Sequence, residues 1–129
     1  MSDPSFFSEQ AILDLHEDLL EAFGGLAGHN PELVGTLAAY PQQKYAYQLP
    51  EPSIQDLAAY YGYAAARFHA FSDGNKRVAF SLTALFLRDH GFDFVVDLDE
   101  AKVLIEELAA DDISEEDFVT WVNENAKPL

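Results

Sequence analysis

Apolar residues recur at helical spacing along most of the 129 residues. Ile12, Leu15, Leu19 and Leu20 line one face of a first helix expected over about Glu9–Phe23, capped by Ser8 and stopped by Gly24-Gly25. A shorter helix follows over about Pro31–Ala39. Between Pro41 and Pro52 the pattern changes: Tyr45, Tyr47 and Leu49 alternate along the chain, which predicts a short extended flap between prolines. Ser53 then caps a long helix rich in Ala and Tyr, about Ile54–Phe68, which gives way to the loop His69–Gly74.

Asp73 stands where an N-cap belongs for the next helix, about Asn75–His90, and Gly91 suits the C′ position that ends it. Val78, Ala79, Phe80, Leu82, Ala84, Leu85, Phe86 and Leu87 make that helix apolar on every side, so it is expected at the centre of the domain. Its apolar run, Val78–Leu87, is interrupted by Ser81 and Thr83 and is too short to span a bilayer. Phe92–Val96 reads as an extended link, after which Asp97 caps a helix over about Leu98–Ala110. Ser114 and Asp117 form a capping box for the last helix, about Glu115–Asn125, which carries Phe118, Val119, Trp121 and Val122 inward. The expected fold is all-α: six helices around a central apolar helix, with one short flap, in a single domain over residues 1–129.

Composition fits one core and narrows the partners. With 49% apolar residues and a mass of 14.3 kDa, the folded chain should expose about 6,800 Å². Seven Lys and Arg against 23 Asp and Glu give a net charge of −16. Such a surface repels polyanions, so direct binding to nucleic acid or to an anionic membrane is not expected. The acidity itself suits solubility or a saline cytoplasm. The absence of Cys excludes disulfides, thiolate metal sites and a Cys nucleophile. Met1–Phe7 lacks a basic-then-apolar leader, so a cytoplasmic location is expected.

The charge is unevenly placed. Arg67, Lys76 and Arg77 fall in one window that holds a single acid, Asp73, so this window carries +2 inside a strongly acidic chain. Gly74, Asn75, Lys76 and Arg77 supply backbone N–H groups at the mouth of a helix, where the macrodipole also favours an anion. Asp73 could hold Mg²⁺ beside a phosphate, and His69 could act as a general base for a hydroxyl. The same residues also suit a plainer arrangement, in which Asp73-Gly74 is a turn and cap, Lys76 and Arg77 a solvated face, and His69 a hydrogen-bonded loop residue.

The run His69-Ala70-Phe71-Ser72-Asp73-Gly74-Asn75-Lys76-Arg77 resembles the signature of the Fic family, H-x-F-x-[DE]-G-N-x-R, and with Lys76 it looks most like the death-on-curing (Doc) branch. Weaker likenesses fall in the right order at Leu15-His16, Gly24-Gly25, Pro41-Gln42, Phe86-Leu87, Gly91 and Ser114-Glu115-Glu116. The resemblance implies a compact helical Fic domain that transfers part of a nucleotide to a protein hydroxyl. It assigns His69 as the base, Asp73 as the Mg²⁺ ligand, Gly74, Asn75, Lys76 and Arg77 as the phosphate cradle, and Phe71 as the buried anchor of the loop. Arg67 matches an Arg found in Doc and is assigned to phosphate or loop support. The flap, about Gln42–Leu49, would align the target by strand addition.

Two positions depart from the AMP-transferring members, which have Gly where this chain has Lys76 and a second Arg where it has Phe80. Both are Doc features, implying transfer of the γ-phosphoryl group of ATP. The resemblance therefore implies a toxin of a toxin–antitoxin module, acting on a Thr of elongation factor Tu to block translation and neutralised by a small antitoxin. AMP transfer and a non-catalytic Fic-fold binder are the alternatives. Asn30-Pro31 stands where many relatives read Arg-Asp.

The remaining features read as structure. His16 is expected to be a buried hydrogen-bonding residue, and His90 a helix C-terminal residue favoured by the dipole. His16, His29 and His90 have no metal-site spacing. The tyrosines at 40, 45, 47, 60, 61 and 63 are expected to pack, with a ligand groove as the other reading, and Trp121 belongs to the core. Thr120–Asn125 fits [ST]-x-x-x-E-[GN], the pattern of an inhibitory helix in some Fic enzymes, but it falls on a helix the core needs.

Overall fold

A computed structural model describes residues 3–129. Six helices follow one another: α1 (Glu9–Phe23), α2 (Pro31–Tyr47), α3 (Ile54–Arg67), α4 (Asn75–Asp89), α5 (Leu98–Ala109) and α6 (Glu115–Asn125). Two short strands, β1 (Phe92–Phe94) and β2 (Ala126–Pro128), pair antiparallel with Phe92 opposite Pro128. The architecture is all-α, as expected, and the exposed surface is 7135 Å². No helix among the described residues is long and apolar enough to cross a membrane.

Caps set most of the boundaries. Ser8, Asn30, Ser53, Asp97 and Ser114 each accept backbone N–H groups in the first turn of the helix they precede, and Ser53 with Asp56 and Ser114 with Asp117 close capping boxes. Asn30-Pro31 acquires a physical reason: the Asn30 side chain takes N–H groups from Glu32 and Leu33, while Pro31 occupies a first-turn position where its missing donor costs nothing.

The expected flap is not there. α2 runs through a buried Pro41 to Tyr47, so Tyr45 and Tyr47 are helical. Proline lacks the donor for an interior helical bond, yet tertiary contacts hold the last two turns. The Tyr40 hydroxyl donates to Glu115, Lys44 lies 3.6 Å from the same carboxylate and about 5 Å over the Tyr60 ring, and Tyr45 packs edge-on against Phe6. Gln48 bonds the Tyr60 hydroxyl. The alternation of Tyr45, Tyr47 and Leu49 misleads because Tyr47 and Leu49 are exposed and pack on nothing that would select a strand.

The centre of the domain also differs from expectation. α4 buries Val78, Ala79, Leu82, Thr83, Phe86 and Leu87, but exposes Leu85 on its other side. α3 buries nine of its 14 residues and packs against α2, α4, α5 and α6. Its small residues allow this. A Cβ on Gly62 would collide with the Thr83 side chain and stand 2.8 Å from Phe118, so glycine sets how closely α3 approaches α4 and α6. Thr83 turns its hydroxyl back to the Ala79 carbonyl, 2.8 Å away, and leaves no polar atom unpaired at the contact.

Tyr61, fully buried on α3, accepts the Phe7 N–H at 2.9 Å and packs edge-on against the Phe7 ring. Burial pushes its hydroxyl up to about 12, a rise the Phe7 bond partly opposes. His90 ties the chain start from the other side: its Nε2 accepts the Ser5 N–H and its Nδ1 donates to the Phe86 carbonyl. Because the folded state resists ionising Tyr61 and the unfolded state ionises near pH 10, stability should fall as pH rises from about 10 to 12. Tyr61→Phe is expected to cost about 1 kcal/mol at neutral pH by orphaning the Phe7 N–H, and to lessen that alkaline decline in urea-unfolding curves, the rest of which comes from Tyr40, Tyr45 and Tyr60, whose hydroxyls burial also raises.

Candidate active site

Residues His69–Gly74 form a loop between α3 and α4 that is fixed at its middle. Phe71 is buried, stacked on His16 with ring centroids 3.9 Å apart. The Asn75 side chain closes on the Phe71 backbone from the other side, accepting its N–H at 3.1 Å and donating to its carbonyl at 2.9 Å. His16, itself buried as expected, donates from Nε2 to the Asp73 carbonyl at 2.8 Å. One aromatic anchor and two side-chain clamps therefore set the loop before any ligand arrives.

The connection between α1 and α2 supplies a second support. Asn30 N–H donates to the Ala70 carbonyl and Ser72 N–H to the Gly28 carbonyl, so His29 and Phe71 form an isolated antiparallel bridge. Strand-like pairing to the motif thus comes from Gly24–Asn30, and the expected flap takes no part in it. Gly25 sits at φ +123° with Asp73 so close that a Cβ would lie 2.9 Å from its Oδ2. This approach lets Asp73 Oδ2 accept the Leu26 N–H at 3.1 Å while Oδ1 accepts the Gly74 N–H at 2.9 Å.

Asp73 is therefore not the cap of α4. The cap position is Gly74, in the left-handed region at φ +85°, and no side chain closes the helix mouth. The other five helices all carry side-chain caps. The open N–H groups of α4 face a cleft of about 820 Å³. Its motif side is lined by His69, Ser72, Asp73, Gly74, Asn75, Lys76 and Arg77. Leu19 and Phe23 of α1 and Phe80 and Ser81 of α4 continue the lining, and one face of α5 from Leu98 to Ala109 closes the far wall.

His69 is exposed to this cleft with φ +52°, a conformation uncommon for a residue with a side chain. Its imidazole hydrogen-bonds no other described residue, and both ring nitrogens are open to a ligand. The Arg77 guanidinium lies about 5.0 Å from the centroid of the largely exposed Phe23 ring, which holds it over the cleft mouth without neutralising it. Phe80 lies in the cleft and packs on Phe94, so an apolar ring occupies that position.

Two assignments change. Arg67 turns away from the cleft: its Nε donates to the Leu108 carbonyl and its Nη2 to Asp111, both at 2.6 Å, while its guanidinium lies over Tyr63. It ties the end of α3 to the α5–α6 turn and is not among the residues that line the cleft. Asn75 contributes its backbone to the helix mouth, but its side-chain amide is spent on Phe71. Glu124 of the Thr120–Asn125 pattern is exposed and does not line the cleft, and Asn123 bonds Asp56 on α3. That helix serves the core.

Lys102 and Glu106 on α5 escaped the sequence reading, being far from the motif along the chain. The available signal was their spacing: Leu98, Lys102, Ile105, Glu106 and Ala109 share one helical face. Among the described residues no group of three or more His, Asp or Glu is arranged to hold a metal, so any cation here would rest on Asp73 with ligands brought by an anion and water.

The sequence of this region matches known proteins. The Fic/DOC family model matches residues 6–87, which include the whole motif loop and its supports. The chain is 33% identical over 85 residues to the protein kinase doc of Escherichia phage P1, an alignment covering 65% of this chain and 67% of that protein. With the H-x-F-x-D-G-N-x-R run folded around a buried Phe71 at the mouth of an uncapped helix, the chain belongs to the Fic/Doc family.

Proposed function

We propose that this protein transfers the γ-phosphoryl group of ATP to a hydroxyl of a protein target. The observation that carries the reading is the uncapped α4 N-terminus, opening onto a cleft where His69, Lys76 and Arg77 converge. Open N–H groups and two cations would hold the phosphates in place and stabilise the charge on the transferred group. His69, free at both ring nitrogens, would take the proton of the attacking hydroxyl. Asp73 fits Mg²⁺: it lines the cleft, and each carboxylate oxygen has one N–H partner and further accepting capacity. The ion would neutralise phosphate charge, with phosphate oxygens and water completing its shell.

Phosphoryl transfer is favoured over AMP transfer by Lys76 and by Phe80, whose ring fills the place of a second Arg. The kinase named among its relatives supports the same choice. The reading extends to a toxin that acts on a translation factor, with a Thr of elongation factor Tu as the target implied by the family resemblance, and is held in check by a small antitoxin. An antitoxin for so acidic a chain should present basic residues.

His69→Ala should abolish labelling of the target by [γ-³²P]ATP and the toxicity of expression, while leaving the circular dichroism spectrum intact. Full activity in that variant would sink the mechanism, and a target carrying AMP by mass spectrometry would move the protein to the adenylylating class. Arg67→Gln and Arg77→Gln should separate cleanly. The first is expected to cost about 1–2 kcal/mol of stability with ATP affinity retained, the second to lose ATP affinity with the unfolding midpoint retained. Calorimetric titration beside urea unfolding reads both.

A further inference from the structure

We infer that Lys102 is a further phosphate-binding residue of the cleft, contributed by α5 and reaching the polyphosphate from the wall opposite the motif. The inference rests on the nucleotide reading above and adds to it a contact outside the signature. Of the seven Lys and Arg in the chain, three line this one cleft: Lys76, Arg77 and Lys102. Of the 23 acids only Asp73 and Glu106 do so. α5 carries four acids, and its single cation falls on the face turned to the cleft.

Lys102 is exposed and forms no ion pair among the described residues, although Glu106 lies one turn along the same helix. The ion pairs among the described residues join Lys44 to Glu115 and Arg67 to Asp111, both away from the cleft. Three cations facing one cavity repel one another until an anion enters, and an ammonium on a four-carbon stem suits a phosphate as a mobile point charge. The wall that bears Lys102 is held in place. Ala101 and Ile105 on either side of it are buried, and Arg67, two residues before His69, grips the Leu108 carbonyl at the end of α5.

The test measures binding of ATP and of inorganic tripolyphosphate to the intact protein by calorimetry. Lys102→Ala should weaken both by about tenfold, Lys102→Arg should restore most of the loss, and Arg88→Ala, which removes an exposed cation at the far end of α4, should change neither. Wild-type affinity in Lys102→Ala, with Arg77→Gln still impaired, would overturn the inference and leave the nucleotide reading standing. A loss confined to ATP would place Lys102 on the nucleoside and overturn its assignment to phosphate. Equal losses in Arg88→Ala would reduce the effect to net charge. If the wild-type chain bound neither compound, the nucleotide reading would itself fall.

Discussion

Everything the cleft presents depends on where Phe71 goes. Its ring is driven out of water and stacks on His16, and the Asn75 amide then fixes its peptide from the opposite side. Burial is non-directional and alone would leave the loop free to rotate about the anchor; the two Asn75 bonds remove that freedom. With the middle of the loop immobile, His69 is held on one side in a left-handed conformation and Gly74 on the other. The strain at His69 is of a kind that persists only where its neighbours over-determine it. Here those neighbours are Phe68, Ala70 and Phe71, the last two buried.

The supporting structure works by close approach. α3 is built largely from Ala and Tyr, and at Gly62 it has no room even for a methyl group. That closeness brings α4 and α6 onto one helix, and the start of α4 inherits its position from the α3–α4 contact. Gly25 does the same on a smaller scale, letting the α1–α2 connection reach Asp73. Two glycines at contacts and one at the helix mouth therefore do more to shape the site than any of the large residues except Phe71.

Much of this was legible in the sequence because it is local. Ser53 with Asp56 and Ser114 with Asp117 announce their helices within four residues, and the motif run places His69, Asp73, Lys76 and Arg77 in one loop and helix start. What escaped is non-local. Pro41 reads as a breaker, but Glu115, 74 residues on, holds the helix beyond it through Lys44 and through Tyr40 one residue before it. Arg67 reads as part of the cationic window, yet Leu108 and Asp111 claim it from the far end of α5. Asn75 looks like a ligand residue until the structure shows that it bonds four residues back. Lys102 has no motif at all, and only the packing of α5 against α4 turns it toward the same space.

The contrast between an acidic exterior and a cationic cleft also governs how an anion would arrive. At distances beyond about 8 Å in physiological salt the field of the whole chain is screened, but at low ionic strength a net charge of −16 extends further and repels any approaching phosphate. Added salt should therefore speed entry by lowering the outer barrier while loosening the final grip, so that arrival and departure rates both rise with ionic strength. An anion held in such a cleft would exchange fastest in concentrated electrolyte, a behaviour that the placement of a few lysines and arginines within an acidic shell is enough to produce.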